Sequence, residues 1–347
     1  MALQAHRASK QRMDSSAVAF TEGDTMRISV AMCTYNGDRF LEEQLRSIAA
    51  QTTPPTELVV CDDGSTDRTL QIVEEFSASA PFPVRLYANA DNLGSTRNFE
   101  QAIALCRGDG IALCDQDDRW MPQKLAVLAE VLRARPAAGG AFSNAALMDR
   151  NGAPLEGDLW QRSEFTAEKQ RAFVAYQGDS WREAPYHLIR RDTVTGATLI
   201  FRSKYVEQIL PLSKDWVHDG WIALILASIA RLEAVPECLM TYRLHREQQV
   251  GLQQTPWHSH LHTKKDRAIE SHLKLAARFS QIADRLSSLG ADSGIVAYAR
   301  SKAEFMGTRA EALRQTRGRR ALPAVLRLRE YRRFEKGIMS LLRDLTH

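Results

Sequence analysis

The sequence predicts an α/β protein built on a mostly parallel central sheet, Rossmann-like in order, with helices on both faces. Three observations lead there. Short apolar runs alternate with amphipathic stretches in units of about 30 residues, the rhythm of strand–helix–strand crossovers. The runs are continuously apolar, as in strands buried on both faces. Three polar loops each follow such a run directly, which collects them on one rim at the carboxyl ends of the strands, where open α/β sheets bind ligands.

Each element has its own signal. Residues 27–32 (RISVAM) form a strand and lead into the loop Cys33-Thr34-Tyr35-Asn36-Gly37. A helix follows with Phe40, Leu41, Leu45 and Ile48 on one face and Glu42 and Glu43 at its positive end. Pro54 and Pro55 break it. Residues 57–61 (ELVVC) are a buried strand, closed by the turn Asp62-Asp63-Gly64-Ser65-Thr66-Asp67 before a helix at 69–76. A third strand covers 84–87, and the next helix shows Phe99, Ile103 and Cys106 on one face. Residues 110–114 are the fourth strand and end at Asp115-Gln116-Asp117-Asp118. A helix at 123–134 and a strand at 140–143 follow. Residues 150–192 read as an irregular insertion or substrate-side loop region, with Trp160 and Trp181. Residues 194–202 (VTGATLIFR) are strand-like, 219–230 helical, and 232–235 and 238–244 two further strands. From about residue 259 the pattern is helical to the end, with breaks at Gly290, Gly294, Gly318 and Pro323 between about three helices. The divisions expected are a polar leader (1–26), an α/β domain (27–255) and a basic helical C-terminal extension (256–347).

Of the 347 residues, 44% are hydrophobic and 25% charged, the balance of an ordinary globular chain rather than a disordered or membrane-embedded one. No apolar run reaches membrane-spanning length, and the first residues lack the apolar core of a secretory signal. The expected setting is therefore the cytoplasm, where the five cysteines, none in C-x-x-C spacing, serve as small buried hydrophobes. The net charge of +4 conceals an asymmetry. Residues 261–347 carry 19 Lys+Arg against 9 Asp+Glu, leaving 27 against 33 for the rest. A body this acidic offers no basic groove, so nucleic acid is not an expected partner. The tail, with Arg317, Arg319, Arg320, Arg327, Arg329, Arg332 and Arg333 among leucines, suits two roles: packing on its own domain or a second copy, or peripheral contact with anionic lipid.

Three carboxylates within four residues at a strand end repel one another unless a cation or solvent screens them. Hard oxygen ligands of this kind suit Mg²⁺ or Mn²⁺, ions that also hold nucleotide phosphates. The bland alternative is a solvated acidic turn capping the next helix. Arg243 and His245 alternate on a strand and so share a face, from which His245 could complete a metal shell. His258, His260 and His262 alternate too, but lack the companions of a zinc site.

Residues 28–135 resemble the family 2 glycosyltransferases of the GT-A fold, in four segments whose order and spacing agree. These are Val30 to Gly37 (VAMCTYNG), Val60 to Asp67 (VCDDGSTD), Asn92-Leu93-Gly94 with Arg97-Asn98, and Asp115 to Trp120 (DQDDRW). About 220 residues, 27–251, fit such a domain. The resemblance implies that Thr34, Tyr35 and Asn36 line a nucleotide pocket and that Asp62 or Asp63 bonds the base. Arg97 would face the diphosphate, with Gln116 and Arg243 also on the nucleotide-sugar side. Asp115 and Asp117 would form the D-x-D pair, Asp117 ligating the metal directly and Asp118 its rival. Asp219, in Val217-His218-Asp219-Gly220-Trp221, would be the general base; its other reading is a helix cap. Gly196 and Ala197 would floor the acceptor side with Trp221 beside them. The Tyr242-Arg243-Leu244-His245 element with Gln249-Val250-Gly251 is similar to one in bacterial rhamnosyltransferases.

Taken together, the resemblance implies an inverting, metal-dependent enzyme. It would take dTDP-rhamnose or a UDP-hexose as donor and a glycan or lipid-linked hydroxyl as acceptor, in bacterial surface polysaccharide synthesis. Two readings compete. A nucleotidyltransferase would show a basic, Gly-rich loop after the first strand, and Cys33 to Gly37 has no Lys or Arg. A non-catalytic nucleotide-sugar or glycan binder would not need Asp115, Asp117 and Asp219 together.

Overall fold

The computed structural model describes residues 26–174, 178–245, 265–315 and 324–346. The leader, Gln249 to Gly251, the histidines at 258, 260 and 262, the arginines at 317, 319 and 320, and the breaks at Gly318 and Pro323 lie outside the described residues.

The first half follows the expected plan. Strands β1 (Ile28–Thr34), β2 (Glu57–Asp62), β3 (Val84–Ala88) and β4 (Gly110–Cys114) alternate with helices α1 (Leu41–Ala49), α2 (Thr69–Ser77) and α3 (Ser95–Leu105). They line up in the order β3-β2-β1-β4, all parallel. β1, β2 and β4 are buried almost throughout. Thr34 pairs with Asp62 and Met32 with Cys114, so the loops after all three strands leave the sheet at one level.

Beyond β4 the sheet is mixed. β5 (Arg119–Trp120) and α4 (Lys124–Ala134) lead to β6 (Ala138–Asp149) and β7 (Pro154–Asp158). Helix α5 (Ala184–Arg190), β8 (Leu199–Arg202), α6 (His218–Ile229) and β9 (Arg231–Leu244) complete it. The full order is β3-β2-β1-β4-β8-β6-β9-β5, with β7 beside β6. β8 runs antiparallel to both β4 and β6, while β6 and β9 are parallel. The parallel order is thus confined to the first half and to β6–β9. An apolar run reads the same in either direction, so composition alone does not show the reversal at β8. That strand is shorter than its apolar run, because Gly196–Thr198 form a 3-10 turn before it. The two strands expected at 232–244 are one, β9, whose pairing with β6 steps from Val235 directly to Cys238. Pro236, which has no N–H to give the ladder, lies in that bulge.

The stretch 150–192 is more ordered than its sequence suggests. β7 and α5 frame an aromatic cluster in which Phe142, Trp160, Phe165 and Phe173 pack with ring centroids 4.9–5.8 Å apart. The C-terminal helices that follow include α7 (Lys265–Ser288), α8 (Ser293–Arg314), α9 (Leu328–Phe334) and α10 (Ile338–Thr346). Gly290, in the left-handed region at φ +69°, turns the chain between α7 and α8. Gly294 breaks nothing, because Asp292 caps α8 by accepting from the Gly294 and Ile295 N–H groups. Phe279, Ile282 and Phe305 of these helices belong to the same contiguous buried cluster as the sheet. Polar ties reinforce that packing: Arg285 donates to the Gln208 and Leu210 carbonyls, and Lys302 to those of Ile189 and Arg190 at the end of α5.

Candidate active site

A cavity of about 640 Å³ opens at the carboxyl ends of β1 and β4. One wall is built by the polar loops of the parallel half. Thr34, Tyr35 and Asn36 line it after β1, Asp63 after β2, and Asp115, Gln116 and Asp117 after β4. Asn36 takes φ +45°, a conformation Asn tolerates better than most residues, and so turns the chain sharply out of β1. Tyr35 and Gln116 clasp the two loops: the Tyr35 N–H donates to Gln116 Oε1 at 2.8 Å, and Gln116 Nε2 to the Tyr35 carbonyl at 3.0 Å. The carboxylate of Asp63 accepts from the Leu93 and Gly94 N–H groups at 2.7 and 2.9 Å, which draws the loop before α3 to the rim.

The facing wall comes from Asp192, Thr193, Thr195, His218 and Asp219. Asp219 stands in the first turn of α6. Its two oxygens accept from the Gly196 N–H at 3.1 Å and the Gly220 N–H at 2.7 Å, which fixes the carboxylate against the backbone. The N-cap of α6 is Val217, so Asp219 is not the capping residue, and its place at the cavity wall leaves the base as the role to be tested. A Cβ on Gly196 would lie 2.6 Å from His218 Nε2 and 3.4 Å from Asp219 Cβ, so the close approach there requires glycine. His218, buried and stacked on Phe99 at 3.9 Å, wedges the same corner, and its burial lowers its pKa against the pull of Asp219. His245, just past β9, completes the cavity and places Nε2 2.7 Å from Asp117 Oδ2.

The site is dense in acid. Burial, then the charges of Asp117 and Asp219, raise the Asp115 carboxyl to about 7. Asp192 opens onto the cavity, yet the protein around it and the charge of Asp219 raise it to about 7 as well. Behind the acidic loop sits Lys124, fully buried, which donates to the Ala197 carbonyl and lies over the Trp120 ring at 3.9 Å. Burial lowers its ammonium to about 7, against the pull of Cys114, Asp118 and Asp115. Clustered carboxylates held above their ordinary range are the electrostatic mark of a site that a cation would stabilise.

Several expected site residues lie elsewhere. Asp118 is fully buried, does not line the cavity, and accepts the Arg243 N–H at 2.9 Å through one of its oxygens. Arg243 is buried too: its guanidinium donates to the Asp117 carbonyl and to Glu43 and stacks over Phe40, which makes it a strut and not a diphosphate contact. Arg97 pairs with Glu100 one turn along α3 and does not line the cavity. Asp62 is buried beneath the rim, where it accepts from Thr34 and Ser65 as a turn residue. Ala197 is buried behind the floor and does not line the cavity. Trp221 points into the core, donating to the Ile209 carbonyl, because α6 is buried on nearly every side. Three contributors carry no sequence signal. Asp192 sits in irregular sequence, Lys124 reads as an ordinary helix residue, and Arg39, at the cavity wall, follows a motif without belonging to it.

Asp117 and His245 supply two ligands that fit a hard or borderline divalent ion. Among the described residues no group of three or more His, Cys, Asp or Glu is arranged to hold a metal. A two-ligand half-site suits an ion completed by water and substrate phosphates rather than a closed protein cage.

Residues 29–194 match the sequence profile described as glycosyl transferase family 2. An uncharacterized glycosyltransferase of Nostoc sp. is 27% identical over 224 residues, 63% of this chain and 65% of the relative. The dTDP-rhamnosyl transferase RfbG of Shigella flexneri is 39% identical over 98 residues, 27% of this chain and 34% of the relative. The chain thus spans less than two thirds of the length of these curated relatives. Among solved structures, the mannosyltransferase PcManGT from Pyrobaculum calidifontis, in complex with GDP-Man and Mn²⁺, aligns with a TM-score of 0.52 at 18% identity, over 99% of this chain and 92% of that one. Motifs, sheet order and these similarities agree: residues 29–194 carry the pattern of glycosyl transferase family 2, and the chain has the GT-A fold.

Proposed function

We propose that the chain is an inverting, metal-dependent glycosyltransferase that moves a sugar from a nucleoside-diphosphate donor to a hydroxyl of a glycan or lipid-linked acceptor. One observation carries the reading: a single cavity holds Asp115 and Asp117 on one wall and Asp219 on the other, with a volume in the range of small-ligand sites between them. On the donor side Thr34, Tyr35, Asn36 and Asp63 frame the nucleotide. Asp117 and His245 would hold Mn²⁺ or Mg²⁺, which when bound offsets the charge developing on the departing diphosphate. Asp219, oriented by two backbone N–H groups, takes the acceptor proton while the sugar is displaced in line from the opposite face. One base and one displacement invert the anomeric centre.

The partial similarity to the dTDP-rhamnosyl transferase RfbG favours dTDP-rhamnose over a UDP-hexose as donor, and bacterial surface polysaccharide synthesis is the setting proposed with it. The convergence of Asp115, Asp117 and Asp219 supports turnover over a binding-only role. The test is release of nucleoside diphosphate from a panel of nucleotide sugars with Mn²⁺, comparing the wild type with Asp219→Asn. Turnover should fall by about 10² to 10⁴ while donor binding stays. Unchanged turnover would place the base elsewhere.

A further inference from the structure

Seven large hydrophobic side chains stand exposed among the described residues, and five of them lie in one short segment. They are Val325 (51%), Leu326 (75%), Ile338 (50%), Met339 (70%) and Leu342 (51%). The segment folds in spite of them, because it has a second, inward apolar face. Tyr331 and Phe334 of α9 pack on Phe305, and Leu341 of α10 is buried. Ile338, Met339 and Leu342 recur at helical spacing on the outward face of α10. An exposed apolar strip of this kind on a folded chain marks an interaction surface.

Its surroundings say what covers it. Arg329, Arg332, Arg333 and Lys336 are exposed on α9 and the turn after it. The acids of the segment offset little of that charge. Asp344 is buried and doubly bonded by Arg309, and Glu335 pairs with Arg309 at 3.1 Å, leaving Glu330. A second copy seated on this face would bring like charges together, which is unfavourable. An anionic bilayer meets both features, its headgroups taking the cations and its acyl boundary the aliphatic side chains. Among the described residues no helix is long and apolar enough to cross a membrane, so the contact made by this strip is peripheral.

We infer that residues 325–342 are a membrane-docking surface for anionic lipid. Its placement suits the proposed activity. Phe334 and Lys336 also line a second cavity of about 640 Å³, whose wall includes Arg191, and the next residue, Asp192, lines the catalytic cavity. Docking through this strip sets the acceptor wall beside the lipid surface. That last step rests on the proposed function; the docking itself does not.

The experiment is co-sedimentation of the full chain with vesicles of phosphatidylcholine alone or of equimolar phosphatidylcholine and phosphatidylglycerol. Binding is expected to the anionic vesicles only, and to weaken as salt is raised. Leu326→Glu and Met339→Glu should each weaken it by about tenfold or more. Because both side chains face outward, the variants should keep the wild-type melting temperature and nucleotide response. Equal binding to both vesicles, or variants that bind like the wild type, would overturn the inference. So would a wild-type dimer that ignores vesicles and that these substitutions dissociate, since the strip would then join two copies. Nucleotide binding is read separately, so a failure here leaves the catalytic reading standing.

Discussion

Asp219 is held by neighbours more than by its own rotamer. The Gly196 N–H and the helix start grip its two oxygens, and the missing Cβ of Gly196 lets His218 and Asp219 close on the turn. Gly196→Ala must displace His218, which packs in the corner beside Asp219. The expected result is a kcat lower by about 10²-fold, the scale of a misplacement near 1 Å, with donor affinity retained. Steady-state kinetics with varied donor checks it, and a loss confined to donor KM would argue that Gly196 serves the nucleotide side instead. Residue identity is legible where chemistry is local to a motif: Thr34, Tyr35, Asn36, Asp63, Asp115, Gln116 and Asp117 all reach the cavity. It is not legible where a side chain's direction depends on distant packing. Arg243 shares a strand face with His245, as expected, but Glu43 and the Asp117 carbonyl capture its guanidinium before it can meet a ligand. Asp118 follows Asp117 directly and is drawn inward by the Arg243 N–H.

Among the elements, the parallel strands and their helices are readable because a doubly buried strand and an amphipathic helix each leave a periodic trace. The reversed β8, the two-residue bulge in β9 and the aromatic cluster of residues 142–173 are set by pairing partners far along the chain, and no local pattern encodes them. The C-terminal helices carry a pH-dependent tie of their own. Asp344 of α10 accepts from Arg309 of α8 through both oxygens, at 2.7 and 3.0 Å, and from Tyr331 of α9 at 2.7 Å. Burial alone would raise its carboxyl, but nearby His272 at 3.7 Å, the hydrogen bonds from Arg309 and Tyr331, and the charge of Arg309 hold it well below the ordinary range. A depressed carboxyl gives stability that is present above its unfolded pKa, about 4, and is lost as pH falls through the folded value. Asp344→Ala leaves the buried Arg309 with Glu335 as a remaining ion-pair partner and should cost somewhat less than the roughly 3–5 kcal/mol of a fully unpaired buried charge. Thermal melts from neutral to acid pH test this: the gap between wild type and variant should narrow below about pH 4. A gap independent of pH would mean the loss comes from packing alone.

In the molecule as a whole, the acidic loops of the parallel half and the turn bearing Asp219 in the mixed half meet only because β8 and α6 fold back beside β4. Sequence motifs predict the first wall and Asp219 of the second; the fold makes them one cavity. Helix α8 then braces the wall that bears Asp192, since Lys302 holds the carbonyls at the end of α5, just before that residue. Whether this cavity binds a nucleoside diphosphate through a metal held by Asp117 decides the rest. The measurement is the melting temperature of wild type and Asp117→Ala with UDP, dTDP, GDP and CDP, each with and without Mn²⁺, since preferential binding stabilises by mass action. The expected outcome is a rise with one nucleotide that requires Mn²⁺ and disappears in Asp117→Ala. A rise that ignores Mn²⁺, or that survives in Asp117→Ala, would refute a metal-bridged donor site at this residue.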